Sequence, residues 1–286
     1  MTVQQQVAEA RLRLARAGIP EAEAHLDARL LAQHVLQWDA ATYFRDASIE
    51  APQAFMAAFD ALLGRREHRE PTAYILERQE FWGLDFEVSP AVLIPRPETE
   101  LIVETALDLL PERQAAIAIA DACTGSGCLA VALAREYPRA RIVATDQSAE
   151  ALGVARRNAS KHQVDDRVTF ILTDALADAP GPFQLIVANP PYVPDDERLN
   201  LAPEVRDHEP ALALYGGSDG LRVVRTLLHQ ASERLRTGGL LLFEIGAGQS
   251  ALVADLIETH PALRLIALKE DLQGIPRAAV VTRSGT

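Results

Sequence analysis

The residues of this chain that are best suited to chemistry are the tetrad Asn189-Pro190-Pro191-Tyr192. Neither proline has a backbone N–H, and each proline pushes the residue before it into extended geometry. The tetrad therefore offers the Asn189 side-chain oxygen and the Asn189 and Pro190 carbonyls as acceptors. Such an array suits a planar –NH2 group, whose two hydrogens need two acceptors, with Tyr192 as a flat stacking surface. Because Asn and Pro are common turn formers, a simple turn explains the same residues when they are taken alone.

A glycine-rich segment, Asp121-Ala122-Cys123-Thr124-Gly125-Ser126-Gly127, is the second candidate site. It lies between an apolar run and a helical pattern, so its backbone and a helix N-terminus can approach a ligand closely. The segment lacks the G-x-G-x-x-G spacing of dinucleotide sites, and no G-x-x-x-x-G-K-S/T pattern of triphosphate sites occurs. A tight turn between strand and helix stays open as the structural explanation.

Acidic residues end the next two predicted strands. Asp146 can accept from both hydroxyls of a ribose, the role that acids take in nucleotide-binding α/β folds. Asp174 can accept from an adenine amino group, and either carboxylate can also cap a helix. With the glycine-rich segment and Asn189, these acids fall at the carboxyl ends of four successive predicted strands. The pattern therefore indicates that they converge on one crevice.

Strand–helix alternation from about residue 115 is the pattern that would position these residues. The predicted strands are 116–121, 141–146, 167–172, 183–188, 239–245, 263–268 and 278–282, and the predicted helices are 127–136, 148–162, 219–236 and 249–259. Several strands are continuous apolar runs, as is typical when helices cover both faces of a sheet. The sequence predicts an α/β fold with a Rossmann-like, mostly parallel, seven-stranded sheet.

The first 96 residues have a different pattern. Residues 1–75 carry apolar residues at helical spacing in three stretches and predict a small helical bundle. Residues 76–96 predict a β-hairpin linker with a turn at Trp82-Gly83, and residues 97–286 hold the α/β domain. Nothing in the bundle is typical of catalysis, so it is either a partner-binding module or a stabilising appendage.

Composition limits the classes of function. The formal net charge of −12 argues against a dedicated DNA or RNA binder and suits a partner with a basic surface. Cys123 and Cys128 match no zinc or thioredoxin spacing, the histidines show no metal-ligand spacing, and no metal site is predicted. Two lone thiols favour a reducing cytoplasm, and neither an export signal nor an apolar run long enough for a membrane span is recognised.

These motifs together resemble those of class I S-adenosylmethionine-dependent methyltransferases. More narrowly, the chain resembles the bacterial protein-(glutamine-N5) methyltransferases that modify peptide chain release factors. The resemblance covers nearly the whole chain, and Ile94 to Glu100 is its most specific stretch, because related ribosomal-protein glutamine methyltransferases differ there. The other matching stretches are Glu70 to Ile75, Phe81 to Phe86, Asp121 to Cys128, Asn189 to Tyr192, Glu209 to Leu212, Gly220-Leu221, and Glu244 to Gly246 with Gln249.

The resemblance implies the cofactor and the site residues. S-adenosyl-L-methionine would be the cofactor and S-adenosyl-L-homocysteine the product. The residues implied to contact the cofactor are Cys123, Thr124, Gly125, Ser126 and Gly127 around its methionine part, Asp146 at the ribose, Asp174 and Ala175 at the adenine, and Asn189. Asn189, Pro190, Pro191 and Tyr192 would grip the glutamine of a Gly-Gly-Gln motif, and Asn189, Pro190 and Tyr192 would be catalytic.

The resemblance also implies the partners. The substrates would be peptide chain release factors 1 and 2, which act in translation termination in the cytoplasm, and residues 1–75 would bind them. The enzyme would be a monomer that contacts neither nucleic acid nor membrane directly.

Two positions depart from the family pattern. Cys123 stands where many class I methyltransferases carry a glycine, a change that the loop tolerates if Cys123 has a negative φ. Pro276 stands where an acid is expected before Arg277.

Three alternatives remain at the level of sequence. Adenine-N6 DNA methyltransferases use the same Asn-Pro-Pro-Tyr logic, because adenine also presents a planar –NH2 group. The acidic charge, the short loops and the lack of a target-recognition domain weigh against this function. A ribosomal-protein glutamine methyltransferase, and a non-catalytic protein that has kept the fold, are the others.

Overall fold

The boundaries of the helices and strands follow the apolar patterning of the chain closely. The computed structural model describes residues 1–285. The helices are α1 Val3–Arg16, α2 Glu21–Leu36, α3 Ala40–Asp46, α4 Gln53–Glu67, α5 Thr72–Ile75, α6 Glu100–Leu109, α7 Cys128–Glu136, α8 Ala149–Lys161, α9 Pro203–His208, α10 Ala211–Leu214, α11 Arg222–Arg234 and α12 Ser250–Glu258. The strands are β1 Arg78–Phe81, β2 Leu84–Glu87, β3 Ala118–Ala122, β4 Arg141–Asp146, β5 Val168–Leu172, β6 Phe183–Ala188, β7 Leu235–Glu244, β8 Leu263–Glu270 and β9 Pro276–Arg283. Two 3₁₀ turns, Pro97–Thr99 and Asp195–Asn200, complete the elements.

The chain divides into two units. The helical unit contains Met1–Glu77 and the distant segment Ala202–His208, and the sheet unit contains Arg78–Leu201 and the residues from Glu209 onward. The chain therefore leaves the sheet unit after the second 3₁₀ turn, contributes Ala202–His208 to the helical unit, and returns to the sheet unit at Glu209.

The helical unit has its own apolar core, to which α1, α2 and α4 contribute Leu14, Leu31 and Phe59 among other residues. A capping box starts α1, because the Thr2 hydroxyl accepts from Gln5 N while the Gln5 side chain accepts from Thr2 N. The short helix α3 was not predicted from the sequence.

The sheet unit contains a seven-stranded sheet in the order β5-β4-β3-β6-β7-β9-β8. Strands β3 to β7 pair in parallel, while β9 is antiparallel to both of its neighbours. One apolar cluster contains residues of α6, α7 and α8, and the other contains residues of α11 and α12. The predicted α/β fold, with a mostly parallel seven-stranded sheet, is confirmed.

The strand order reverses between β3 and β6, because β4 and β5 extend the sheet on one side before the chain crosses to the other. Ligands of open α/β sheets bind at such a switch point, outside the carboxyl ends of the strands. The glycine-rich segment follows β3 and Asn189 follows β6, so both lie at this position.

A separate two-stranded sheet, β1 and β2, precedes the main sheet in the chain. Trp82 and Gly83 both have positive φ, as a two-residue hairpin turn of the primed type requires. Within residues 1–285, no helix is both long and apolar enough to cross a membrane.

Candidate active site

Asn189 follows the central strand β6, and a buried hydroxyl holds its side chain. Asn189 Nδ2 donates to Thr99 Oγ1 at 3.0 Å. Thr99 ends the 3₁₀ turn Pro97–Thr99 and is 2% exposed. Asn189 also lines a cleft of the sheet unit.

Glu244, at the end of β7, accepts two hydroxyl hydrogen bonds in this site. Its Oε2 accepts from Thr99 Oγ1 at 2.6 Å, and its Oε1 accepts from Tyr192 Oη at 3.0 Å. Glu244 is 2% exposed, and its burial raises the pKa of the carboxyl group while the two hydrogen bonds oppose that rise. No basic side chain of residues 1–285 forms an ion pair with it. Burial and the nearby Glu244 also raise the pKa of Tyr192, which therefore stays a phenol and a donor.

These bonds fix the orientation of the Asn189 amide. When Glu244 is ionised, its carboxylate only accepts, and Thr99 donates its single hydroxyl hydrogen to it. Thr99 Oγ1 must then accept from Asn189, which turns the –NH2 end of the amide toward Thr99. Asn189 Oδ1 is left as an acceptor, so this Glu244–Thr99–Asn189 relay selects an amide orientation that can accept from an –NH2 group.

The backbone of the tetrad is fixed by a glutamine clamp. Gln249 Nε2 donates to the Tyr192 carbonyl at 2.9 Å, and Gln249 Oε1 accepts from Gly246 N at 2.9 Å. A Cβ on Gly220 would lie 2.2 Å from the Tyr192 carbonyl oxygen, so only glycine fits at that position. The acceptor array is therefore held before any ligand arrives, as preorganisation requires.

Asp121 holds the glycine-rich loop through hydrogen bonds to its buried carboxylate. Its Oδ2 accepts from Thr124 Oγ1 at 2.5 Å and from Ala130 N at 3.0 Å. Burial raises the pKa of Asp121 to about 7, against the effect of these two bonds. Gly125 has φ +53°, and a Cβ built on it would meet nothing within 4 Å, so the loop backbone borders open space at the cleft.

Asp146 presents a carboxylate at the same cleft. Its Oδ2 accepts from Gly125 N and its Oδ1 from Ser148 N, both at 2.9 Å. Burial raises the pKa of Asp146, and these backbone N–H groups oppose the rise. Each oxygen keeps acceptor capacity for another donor, which fits the two hydroxyls of a ribose.

The structure brings most of the predicted site residues to one cleft. Those that line it are Cys123, Thr124, Gly125, Ser126, Asp146, Ala175, Asn189 and Pro191. Four others, Gly127, Asp174, Pro190 and Tyr192, are not among its lining residues. Asp174 is exposed, and its Oδ1 accepts from Gln147 Nε2 at 2.5 Å.

Cys123 does not meet the condition of a negative φ. Its φ is +58°, in the left-handed region, which costs a non-glycine residue about 1 to 2 kcal/mol. Ala175, on the same cleft, has φ +46°. Burial raises the pKa of the Cys123 thiol, so this residue is neither a thiolate nor a nucleophile. The strain lies where a ligand would be held, as is common at functional sites.

Sequence reasoning assigned no role to Thr99, Glu244 or Gln249. All three lie in stretches that carry the family resemblance, and that membership was the only signal available. Within residues 1–285, no cluster of three or more His, Cys, Asp or Glu side chains is arranged to hold a metal ion.

Comparisons with known proteins relate this chain to methyltransferases. Residues 99–206 match the family model described as "Methyltransferase small domain", and residues 5–76 match "PrmC N-terminal domain". The chain is 44% identical to the release factor glutamine methyltransferase of Bradyrhizobium diazoefficiens, over 90% of this chain and 87% of that protein. It is 42% identical to the enzyme of the same name from Moorella thermoacetica, over 99% of both. A methyltransferase structure from Pyrococcus furiosus shares the fold at a TM-score of 0.52 and 18% identity, over 72% of this chain and 91% of that one.

Proposed function

The chain belongs to the release factor glutamine methyltransferase family, and we propose that it methylates N5 of the glutamine in a Gly-Gly-Gln motif. The enzyme uses S-adenosyl-L-methionine, and its protein substrate is a release factor. We propose that the specific protein substrates are release factors 1 and 2. The observation that carries the proposal is the Glu244–Thr99–Asn189 relay, which leaves an amide oxygen as an acceptor at the cleft.

The cleft fits the cofactor through its donor set and its open loop backbone. Asp146 would accept from the ribose hydroxyls, and Cys123, Thr124, Gly125, Ser126 and Gly127 would surround the methionine part. Ala175 would contact the adenine with Asp174 beside it, although Asp174 is exposed. When bound, S-adenosyl-L-methionine supplies a methyl group on a positively charged sulfur.

The tetrad would activate a weak nucleophile by position. An amide nitrogen is a poor nucleophile because its lone pair is delocalised into the carbonyl. Asn189 Oδ1 and the Pro190 carbonyl would accept its two hydrogens, aim the nitrogen at the methyl group and stabilise the developing positive charge. The methyl group would leave the sulfur as the nitrogen bonds to it, so the positive charge that Asn189 Oδ1 and the Pro190 carbonyl stabilise would lie on the nitrogen. An N-methylated amide cation is acidic enough to lose its proton to water, so no strong general base is needed.

Tyr192 and Pro191 would complete the substrate site. The Tyr192 ring would offer a flat surface to the glutamine amide while its hydroxyl stays bonded to Glu244. Pro191 lines the cleft, and both prolines limit the flexibility of the acceptor array.

Different segments of the chain would have different functions. We assign release factor docking to residues 1–75, a linker to residues 76–96 and methyl transfer to residues 97–286. We further propose a monomer that acts in the cytoplasm without direct contact with nucleic acid or membrane. The net charge of −12 supports the lack of nucleic-acid contact, and two free cysteines suit a reducing compartment.

The test replaces the acceptor. Asn189→Ala removes the oxygen that holds the substrate nitrogen, and removal of one such group costs about 100- to 1,000-fold in kcat. Methyl incorporation into release factor, followed by mass spectrometry, should fall by this factor, while S-adenosyl-L-methionine still binds measurably.

Asn200→Ala is the matched control, because Asn200 is exposed and lies in the 3₁₀ turn Asp195–Asn200 of the same unit. Its turnover should equal that of the wild type. Near-normal turnover of Asn189→Ala would sink the assignment, and methyl incorporation into duplex DNA in place of release factor would favour the adenine-N6 alternative.

A further inference from the structure

A cavity in the helical unit carries positive charge on a chain that is otherwise strongly acidic. It lies among α1, α2 and α3 and has a volume of about 300 Å³. Arg11, Arg29 and Arg45 line it together with His25, Tyr43 and Phe44. No Asp or Glu is found among its lining residues within the described chain. The lining of the cavity is therefore locally basic in a protein whose net charge is −12.

Two of these arginines have no acidic partner. Arg45 is paired with Asp46 at 2.8 Å, but Arg11 and Arg29 form no ion pair with any residue in the range 1–285. Other arginines of the helical unit are paired: Arg13 with Asp60 and Glu67, Arg65 with Glu70, and Arg66 with Asp27 and Glu204. Arg16 of α1 also forms no ion pair, but it is exposed and lies outside the cavity, so Arg11 and Arg29 are the arginines that leave guanidinium groups free for a ligand in the cavity.

Arg29 is also held in position. Its guanidinium carbon lies 5.5 Å from the centroid of the Phe44 ring, and Phe44 contacts Tyr43 edge-to-face with centroids 5.7 Å apart. Arg29 Nε is buried and has no hydrogen-bond partner. Buried polar groups are nearly always hydrogen-bonded, so Arg29 Nε lacks a partner that a bound ligand could supply.

We propose that this cavity binds a carboxylate side chain of the release factor. The inference rests on the proposed function for the identity of the partner. A guanidinium presents a planar fork of donors that matches a carboxylate with two parallel bonds. Phe44 is 70% exposed beside the cavity, and aromatic residues with arginine are the composition typical of protein–protein interfaces. A protein carboxylate fits these features better than a nucleic acid does, because the chain as a whole repels polyanions.

The experiment uses the full-length enzyme with Arg11→Met and Arg29→Met combined. Methionine keeps much of the apolar volume and removes both forks. The KM for intact release factor should rise by about tenfold or more, the equivalent of at least one lost charged bond, with kcat unchanged. The KM for a short peptide that contains the Gly-Gly-Gln motif should stay at the wild-type value, because the cavity is not part of the catalytic cleft.

Arg16→Met is the matched control. Arg16 is an exposed arginine of α1 and does not line the cavity. Its replacement by methionine removes one positive charge, as each of the two replacements in the double variant does. Its KM should stay within about twofold of the wild type. Thermal unfolding of each variant confirms that the helical unit is folded, and Arg29→Lys, which keeps the charge but not the fork, should lie between the wild type and the double variant.

Three outcomes would overturn the proposal. One is an unchanged KM for release factor in the folded double variant, and another is a rise that Arg16→Met reproduces. In the third, inorganic phosphate or RNA at matched ionic strength inhibits the wild type but not the double variant, while the two enzymes have the same KM for release factor. That result would identify the cavity as a phosphate site. Failure of the wild type to methylate either release factor or the peptide would instead contradict the proposed function, so the two failures are distinguishable.

Discussion

Glu204 in the helical unit and Glu244 at the end of β7 are both shielded from solvent, yet their pKa values shift in opposite directions. Burial alone would raise the pKa of Glu204, but hydrogen bonds from Arg69 at 2.7 Å and Arg66 at 2.8 Å outweigh it and hold the pKa below its ordinary value. Glu244 accepts only from the neutral hydroxyls of Thr99 and Tyr192, so burial prevails and raises its pKa.

The difference follows from what each carboxylate does. In the helical unit, charges of opposite sign surround one another and hold the distant segment α9 against α4. In the sheet unit, a cation beside Glu244 would compete for the carboxylate oxygens that orient Thr99 and Tyr192. A carboxylate that accepts from hydroxyls can orient an amide through those hydroxyls, whereas a carboxylate that is paired with arginines mainly stabilises the fold.

The largest expected effect is the loss of cohesion in the helical unit. Arg66 is 3% exposed and donates to Asp27 at 2.7 Å as well as to Glu204. Arg66→Met leaves these two acids without their shared cation, and breaking such a buried network costs about 3 to 5 kcal/mol. Urea unfolding should report this loss, while kcat for the short Gly-Gly-Gln peptide stays near the wild-type value.

The neighbouring Arg65→Met is the control for this prediction. Arg65 pairs with Glu70 at 2.5 Å, but its side chain is 43% exposed, so the loss should be about 1 kcal/mol or less. Equal losses for the two variants would show that the buried network around Arg66 contributes no more than a surface pair.

A smaller effect separates the two glutamates by the sign of their pH dependence. Glu204 has a depressed pKa, so its stabilisation is present above the ordinary value of roughly 4.3 and is lost as pH falls through the lower folded pKa. Glu204→Gln should therefore cost about 1 kcal/mol at neutral pH, and this difference should vanish in acid.

Glu244→Gln should behave in the opposite way in the same unfolding experiment. A raised pKa means that the fold disfavours the ionised form, so the wild type gains stability relative to this variant as pH falls. The same pH dependence for both variants would remove the distinction between the two carboxylates.

The sequence was sufficient where local patterning decides the structure. The limits of β4 and β6 were predicted to the residue, because both are mainly apolar runs, and β4 ends at Asp146 while β6 ends directly before Asn189. Asn189, Asp146 and the glycine-rich loop were recognisable for the same reason, since residue type and strand end coincide.

Long-range contacts and strain escaped prediction. Thr99 and Glu244 are 145 residues apart, and Arg66 and Glu204 are 138 apart, so no local pattern joins them. The positive φ of Cys123 follows from the bend of the loop and not from the preference of cysteine. The short helix α3 carries a single buried residue, Tyr43, and so gives no apolar period.

The dependence of methyl transfer on the charge of Glu244 is best measured as the pH profile of kcat for the wild type and for Glu244→Gln, with release factor and S-adenosyl-L-methionine at saturation. Only the ionised carboxylate forces Thr99 to accept from Asn189, so wild-type kcat should fall as pH drops through the raised pKa of Glu244.

In the variant, the new amide can donate to Thr99, which lets the Thr99 hydroxyl turn toward Asn189 and reverses the Asn189 amide. We expect kcat to be lower by about tenfold or more, with no acid limb from this residue and with unchanged cofactor affinity. A Glu244→Gln enzyme with the wild-type kcat and the wild-type acid limb would contradict the relay.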